Sequence, residues 1–395
     1  MQTDLVQMIH LEPVLPIDVP DVLKSIKKTK DLRTSTVYKT YEKHIEAITS
    51  QLIFEPRRDT AHVHTQRSIR IASWNIQRGI QIDGIKKFIA HNELLKSADV
   101  FLLNEVDIGM ARSGNRNIAQ ELAHFLGFSF VFGNSYLCLD NGNSRDGNSR
   151  EKNTHGLHGN AIVSRFPIRR AENFSLPILF DKFEHREKRL GHKRALLAEI
   201  DTPCGILPIV AVHLDCDSSP KDRSRQMRSV VQKIEERSLD NRVLIGGDFN
   251  TSTYDLKNLC RLLTNITVKF LRGGFSHALH HYLYPDRLYE KPLFDVLERY
   301  GYNYREMNKA AGTVYYEVGS FDSESRVKDF LPSCAVKFLR WKLKPWNGVV
   351  PLKMDWFASK GLTSKQVSLV ESIKKPSWNG IRLSDHDPIF IDLQL

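Results

Sequence analysis

The sequence predicts an α/β or α+β fold of two layered sheets with helices outside, on three observations. Segments of strand length and segments of helical period interleave along most of the chain. The short runs Val100-Phe101-Leu102-Leu103 and Val243-Leu244-Ile245 are apolar without alternation, as in strands covered on both faces. Four apolar strand-length segments end in polar residues: Asn75, Asn104-Glu105, His213 and Asp248. Ends of this kind predict one shared mouth where ligands bind.

The elements follow in order. Residues 1–67 read as a helical appendage. Pro13, Pro16 and Pro20 interrupt its start, Val22, Leu23 and Ile26 begin a helical pattern, and Ile45, Ile48 and Leu52 resume one. It is expected to pack on the main body or to mediate self-association. The main body spans 68–395 and opens with a strand from Ser68 to Ile76. Ile85, Phe88, Ile89 and Leu95 keep a helical period. Ile118, Leu122, Phe125 and Leu126 mark another helix face, with Gly127 suited to its C-terminal cap. The polar, Gly-rich stretch 140–153 reads as a mobile loop. Strands are expected at Asn160–Ser164, Arg194–Ile200 and Ile206–His213. Pro220 then opens a helix that aligns Met227, Val230, Val231 and Ile234. Residues from about 255 to 350 read as a variable insertion on one side of the core, followed by strands near Met354–Ala358 and Pro388–Leu393.

Composition bounds the function. The 395 residues are 41% hydrophobic and 26% charged, which is ordinary globular composition, and the formal net charge is +11. A basic surface suits polyanions, either nucleic acid or anionic lipid headgroups and inositol phosphates, and equally a plain solvated surface. Five scattered cysteines without a CxxC argue against a disulfide framework and a cysteine zinc site, and point to a reducing compartment. The start lacks a basic segment followed by an apolar one, and no apolar run approaches the ~20 residues of a membrane helix. The expectation is a soluble or at most peripheral, cytoplasmic protein.

The strand ends carry the chemistry. Asp248 and Asn250, two apart in extended chain, share a face with Phe249 turned to the core. Gly246 and Gly247 let the backbone turn tightly without Cβ obstruction. A carboxylate beside an amide can orient or deprotonate a water and hold a phosphate oxygen, and an Asp-Phe-Asn turn can equally cap the next helix. Glu105 at a strand end suits a hard divalent cation or mere solvation. Asp385-His386 before an apolar strand can serve metal, water and phosphate, or only start the strand.

In order along the chain stand Asn75 in Ser-Trp-Asn-Ile, Glu105 in Leu-Asn-Glu-Val and Gly159-Asn160-Ala161-Ile162-Val163-Ser164-Arg165. Then come His213 in Val-His-Leu, Gly247-Asp248-Phe249-Asn250, Asp355 in Met-Asp-Trp-Phe, and Ser384-Asp385-His386-Asp387-Pro388. Together they resemble the endonuclease/exonuclease/phosphatase superfamily over about Ile69 to Leu395. Each motif is short, and their order is what makes the likeness specific. The resemblance implies a four-layered, DNase I-like α/β sandwich and a Mg2+ site, with Mn2+ as the alternative ion. It implies that Glu105 ligates the metal with Asn75 and Asp385 nearby. Asp248 would position or activate water, Asn250 and His213 would hold phosphate oxygens, and His386 would contact the phosphoryl group with Asp355 orienting its ring. Asn160 and Arg194 are the expected substrate-binding residues.

Two stretches bear on the substrate. The segment Phe180–Arg194 holds Lys182, Arg186, Lys188, Arg189, Lys193 and Arg194. It suits a phosphate-gripping loop, with Arg194 at the strand start expected to face the site, while most of the others are expected to be solvated. Residues 336–346 interleave basic and aromatic side chains, which suits single-stranded nucleic acid, an anionic membrane, or a core element with snorkelling lysines. His277, His280 and His281 lack a partner carboxylate motif and are expected to flank the insertion rather than bind zinc. The leading expectation is a Mg2+-dependent phosphoesterase with nucleic acid slightly preferred as substrate. A lipid or inositol phosphate phosphoesterase follows, and then a non-catalytic binding module on the same fold.

Overall fold

The computed structural model describes residues 14–56, 68–142, 151–185, 187–203, 205–237, 242–255, 259–317, 348–363 and 368–394, with 337, 341 and 344 singly. Most of the loop 140–153 and of the basic-aromatic run 336–346, together with Arg186, lies outside them.

Among the described residues, two large sheets carry the fold. The first has eight strands in the order Leu52–Glu55, Ser129–Cys138, Leu157–Ser164, Val100–Ile108, Ser68–Arg78, Ile389–Gln394 and Glu371–Ser372, with Arg189–Gly191 also paired to Ser129–Cys138. The second has five, in the order Asp355–Lys360, Val243–Asp248, Gly205–His213, Arg194–Thr202 and Ile168–Ser175.

The side chains sort into layers by strand parity. Ile69, Ile71, Val100 and Leu102 of the first sheet meet Leu196, Ala198, Ile209, Leu244 and Phe357 of the second in one buried cluster. The alternate residues of the first sheet, Ala72, Trp74, Phe101 and Leu103, pack against the helical residues Leu23, Ile45, Ile85, Ile89 and Leu122. Those of the second, Val210, Val212, Val243 and Ile245, pack against Met227, Val230, Ile234, Leu293 and Leu297. The order is helix, sheet, sheet, helix: the four-layered sandwich that the motifs implied. Each fully buried Leu, Ile or Val in these layers contributes roughly 1.5–3 kcal/mol, so the alternation of apolar positions fixes strand register.

Local signals place the elements. Ser219 and Asp222 form a reciprocal capping box at the start of the helix Pro220–Glu236. Gly127, left-handed at φ 68°, ends Ile118–Leu126 as expected. The single helical period expected from Ile85 to Leu95 is broken. Ile82–His91 stops before Asn92, whose side-chain oxygen accepts from Leu94 and Leu95 N–H (both 3.1 Å) and caps a separate turn, Glu93–Lys96. The N-terminal segment packs three helices on the first sheet and then joins it, as Leu52–Glu55 pairs antiparallel with Phe130–Gly133. The stretch 255–350 holds the helices Leu259–Leu271, Gly274–Leu283 and Lys291–Arg299, and Val314–Glu317 pairs with Val349–Leu352. No helix among the described residues is long and apolar enough to cross a membrane.

Gly246 and Gly247 lie inside a strand rather than in a turn. A Cβ on Gly246 would sit 2.5 Å from the Phe357 ring and 2.8 Å from Leu102 of the facing sheet. Gly247 has φ +139°, and a Cβ there would meet the Val212 carbonyl oxygen at 2.0 Å.

Candidate active site

The two sheets bring their polar ends to one place. Ser68–Arg78 and Val100–Ile108 run parallel, as do Gly205–His213 and Val243–Asp248, so each pair delivers its C-terminal residues to the same edge. The antiparallel strand Asp355–Lys360 begins there, with Asp355 directly opposite Asp248 and His213 opposite Asp248 on the other side. His386 precedes the strand Ile389–Gln394, which runs antiparallel to Ser68–Arg78.

Asp248 is the hub. Its Oδ2 accepts from Asn75 Nδ2 (3.2 Å) and Asn250 Nδ2 (3.1 Å), and its Oδ1 accepts from the Asn250 N–H (2.8 Å). His213 Nε2 lies 3.5 Å and His386 Nε2 3.7 Å from the same Oδ2. The Asn75 contact crosses from one sheet to the other. So does the Asp248 N–H, which donates to Asn104 Oδ1 at 2.9 Å. Asn104 in turn donates to Asn160 Oδ1 (2.9 Å), and Asn160 donates to the Arg194 carbonyl (3.1 Å). Phe249 is fully buried, as the two-residue spacing required.

His386 is locked at both backbone and ring. Its N–H donates to Ser384 Oγ (3.1 Å), its carbonyl accepts from Trp74 Nε1 (3.0 Å), and its Nδ1 pairs with Asp355 Oδ2 at 2.8 Å. Thr313 Oγ1 donates to the same Asp355 oxygen at 2.6 Å. Burial alone would lower the imidazole, but the Asp355 and Asp248 carboxylates overcome it and hold His386 well above the ordinary histidine range. Burial pushes the Asp248 carboxyl up to about 7, with His386 opposing and Asp355 adding to the rise. Burial, with Lys193 nearby, keeps His213 neutral, well below its usual value.

Glu105 sits where the strand Val100–Ile108 slips register against both neighbours, at φ 53°. Gln77, Arg78 and Asn250 are also left-handed around this edge. Such conformations cost about 1–3 kcal/mol each in a non-glycine residue and persist where the surroundings over-determine them. Here they re-aim side chains at the site. Burial raises Glu105, but Arg78, His213, His158 and Lys193 together hold it well below the usual carboxylate range. Its side chain is 25% exposed, with Arg78 Nε at 3.8 Å, beyond hydrogen-bond reach.

The residues present fit a hard cation. Glu105 is held in its charged form and is partly exposed, and Asn75 and Asp385 each add an oxygen donor. Asp385 is exposed at the lip, its N–H on Gln77 Oε1 at 3.2 Å. Asp248, Asp355 and His386 also bring ligand atoms within 4.8 Å of one another. Within this trio His386 Nδ1 pairs with Asp355 Oδ2 at 2.8 Å, and its Nε2 lies 3.7 Å from Asp248 Oδ2. The carboxylates of Asp215 and Asp217, beside Cys216, are held by Lys182.

Several expected residues land differently from their assigned tasks. Both amide protons of Asn250 are engaged, by Asp248 and by the Leu214 carbonyl at 2.8 Å, so its amide positions Asp248. The Arg194 guanidinium donates to the Asn173 carbonyl (3.0 Å), and it is the Arg194 backbone that meets Asn160. Other residues of the site escaped the sequence reading. Thr313 comes from the insertion. Glu290, also in the insertion, pairs with the buried Arg223 and accepts from the Thr253 N–H at 2.9 Å, which pins the loop after Asn250. His158 stands next to Gly159-Asn160 with no sequence signal of its own. Its Nδ1 pairs with Asp107 at 2.7 Å, and Arg112 grips the same carboxylate with two nitrogens at 2.6 and 2.9 Å.

A sequence model of the endonuclease/exonuclease/phosphatase family matches residues 72–304, and the chain belongs to that family of phosphoester hydrolases. Asp355 and His386 lie beyond the matched span. No curated protein matches the chain in sequence. Among solved structures, it resembles an endonuclease/exonuclease/phosphatase from Beutenbergia cavernae DSM 12333, with 18% identity, 84% of this chain and 72% of that one covered, and TM-score 0.48. It also resembles the 3' phosphatase NExo from Neisseria bound to a product DNA hairpin, with 12% identity, 83% and 100% coverage, and TM-score 0.46. An AP endonuclease from Archaeoglobus fulgidus gives 14% identity, 83% and 100% coverage, and TM-score 0.45.

Proposed function

We propose that the chain is a Mg2+-dependent phosphoesterase, with Mn2+ as the alternative ion, which hydrolyses a phosphodiester or phosphomonoester by attack of water. The observation that carries this reading is the Asp248 carboxylate, buried and held by Asn75 and Asn250, with two imidazoles of opposite protonation preference within 3.7 Å. A general base works best with a pKa near the working pH, and Asp248 at about 7 meets that condition.

In this proposal Asp248 takes the proton of the attacking water. The His386 imidazolium donates from Nε2 to a phosphoryl oxygen and offsets the charge that develops there, while Asp355 fixes the ring's orientation and favours its charged form through Nδ1. Neutral His213 and Asn160 hold further phosphate oxygens. Glu105, Asn75 and Asp385 would hold the ion, which when bound polarises the phosphoryl oxygen and neutralises leaving-group charge.

Nucleic acid is the first substrate class to test, because the net charge of +11 favours a polyanion. The test is a panel of plasmid DNA, RNA, sphingomyelin and phosphoinositides in Mg2+, with Asp248→Asn as control. Hydrolysis of DNA or RNA that the variant loses supports the proposal. Turnover confined to the lipids moves the substrate to headgroup phosphates. Salt-dependent binding with no turnover anywhere overturns it in favour of a binding module.

A further inference from the structure

A tight, nearly closed polar recess lies on the far side of His213 from Asp248, bordered by Tyr136, His158, Asn160, Lys193 and His213. Lys193 is 8% exposed, so this charged side chain is more than nine-tenths buried. Its ammonium has no hydrogen-bond or ion-pair partner among the described residues. Lys182, equally buried, shows what a structurally matched lysine looks like here: it lies 3.0 Å from Asp215 and also pairs with Asp217. Asp215 is thus committed to Lys182. The other carboxylate acting on Lys193 at longer range is that of Glu105. Buried charges are matched by opposite charge, and leaving one unmatched costs free energy.

The backbone holds Lys193 in place from both sides. Its carbonyl accepts from the Leu176 N–H, and the preceding His192 N–H donates to the Ser135 carbonyl (both 3.0 Å). Burial pulls the ammonium below the ordinary lysine range, with Asp215 and Glu105 opposing, and an incoming anion would reverse that pull.

We propose that Lys193 is a substrate-binding residue of this site, its ammonium meeting a phosphoryl oxygen between His213 and Asn160. The inference rests on the phosphoesterase reading above and adds to it a residue that reads from sequence as part of a solvated basic loop. It also explains why the charge is kept: the missing counter-charge is the substrate's.

The test uses the full chain with Lys193→Met and Lys193→Arg, titrated with inorganic phosphate in Mg2+ buffer by calorimetry, alongside thermal unfolding and steady-state kinetics. The expected result is phosphate binding at least tenfold weaker in Lys193→Met and within about threefold of wild type in Lys193→Arg. KM should rise more than kcat falls, and the melting temperature without phosphate should be unchanged or higher. Lys193→Met with lowered phosphate-free stability and unchanged phosphate binding would mark a counter-ion for Glu105 and overturn the inference alone. Wild type with neither phosphate binding nor phosphoester turnover overturns the phosphoesterase reading and this inference together.

Discussion

Asp355 and Thr313 meet at a single oxygen: the Thr313 hydroxyl donates at 2.6 Å to the same Oδ2 that holds His386 at 2.8 Å. The ring of His386 is therefore aimed by a pair of residues 42 apart in sequence, one on a core strand and one in the insertion. The other Asp355 oxygen, Oδ1, is buried with no hydrogen-bond partner among the described residues, so part of the carboxylate's charge is left for the ring of His386. That charge helps keep His386 protonated.

His386→Ala and Asp355→Asn are each expected to reduce turnover by at least ~10²-fold with the fold intact. The pH profile separates them. Activity that needs the imidazolium falls as pH rises through the raised His386 pKa, so Asp355→Asn moves the alkaline limb to lower pH. An unmoved limb in Asp355→Asn argues against the orienting role.

Asp248 governs the acid limb. A base must be deprotonated, so activity should rise with pH through about 7. In Asp248→Asn the acid limb disappears and turnover drops by at least ~10²-fold. Circular dichroism matching wild type would show that folding is not the cause.

EDTA is expected to abolish turnover, and Mg2+ or Mn2+ to restore it. Glu105→Gln removes the charged oxygen donor and should raise the Mg2+ concentration needed for half-maximal rate by at least tenfold. An EDTA-resistant wild type argues against the metal assignment.

Arg112 is fully buried between Asp107 and Glu187, with Nη1 2.5 Å from the latter. Arg112→Met takes the guanidinium from buried Asp107 and leaves Glu187 with Arg189 alone, and is expected to cost about 3–5 kcal/mol in denaturant unfolding. The same change frees the Asp107 end of the His158 pair and should disturb the recess beside His213.

Gly247→Ala places a methyl where the Val212 carbonyl oxygen lies 2.0 Å away, at a φ that L-residues avoid. A loss of more than about 2 kcal/mol is expected. Melting temperatures of Gly247→Ala and wild type decide it, and equal values would refute the close approach.

Much of this is legible in the sequence because parity and chemistry coincide there. Ile69, Ile71 and Val100 announce core strands, and Asn75, Glu105, His213 and Asp248 stand at the ends those strands deliver. The strand Ser129–Cys138 was not legible. It is buried along its whole length but contains Gly133, Asn134 and Ser135, so it shows neither alternation nor a continuous apolar run. Its polar groups are bonded internally, as when Asn134 Nδ2 donates to the Ile48 carbonyl at 2.8 Å. Thr313 and Glu290 were hidden for another reason. Each contacts the site through a pairing 37 or more residues away, with no local motif to mark it. Lys193 does not stand out in sequence from the charged neighbours that favour a solvated loop, because burial of a lysine leaves no trace in composition.

The space denied to a side chain at Gly246 sets a gauge for the catalytic centre. Its Cα faces Leu102 across the core, two residues before Asp248, and Leu102 lies two residues before the Asn104 that accepts the Asp248 N–H. The thickness of the hydrophobic core at that point is thus the same dimension that sets the reach between Asn75 and Asp248. Larger residues at Gly246 or Leu102 would pry the two sheets apart at the one edge where hydrogen bonds must span them. Turnover should then fail before stability does, and the molecule would remain folded with Asp248 and its supporting amides out of register.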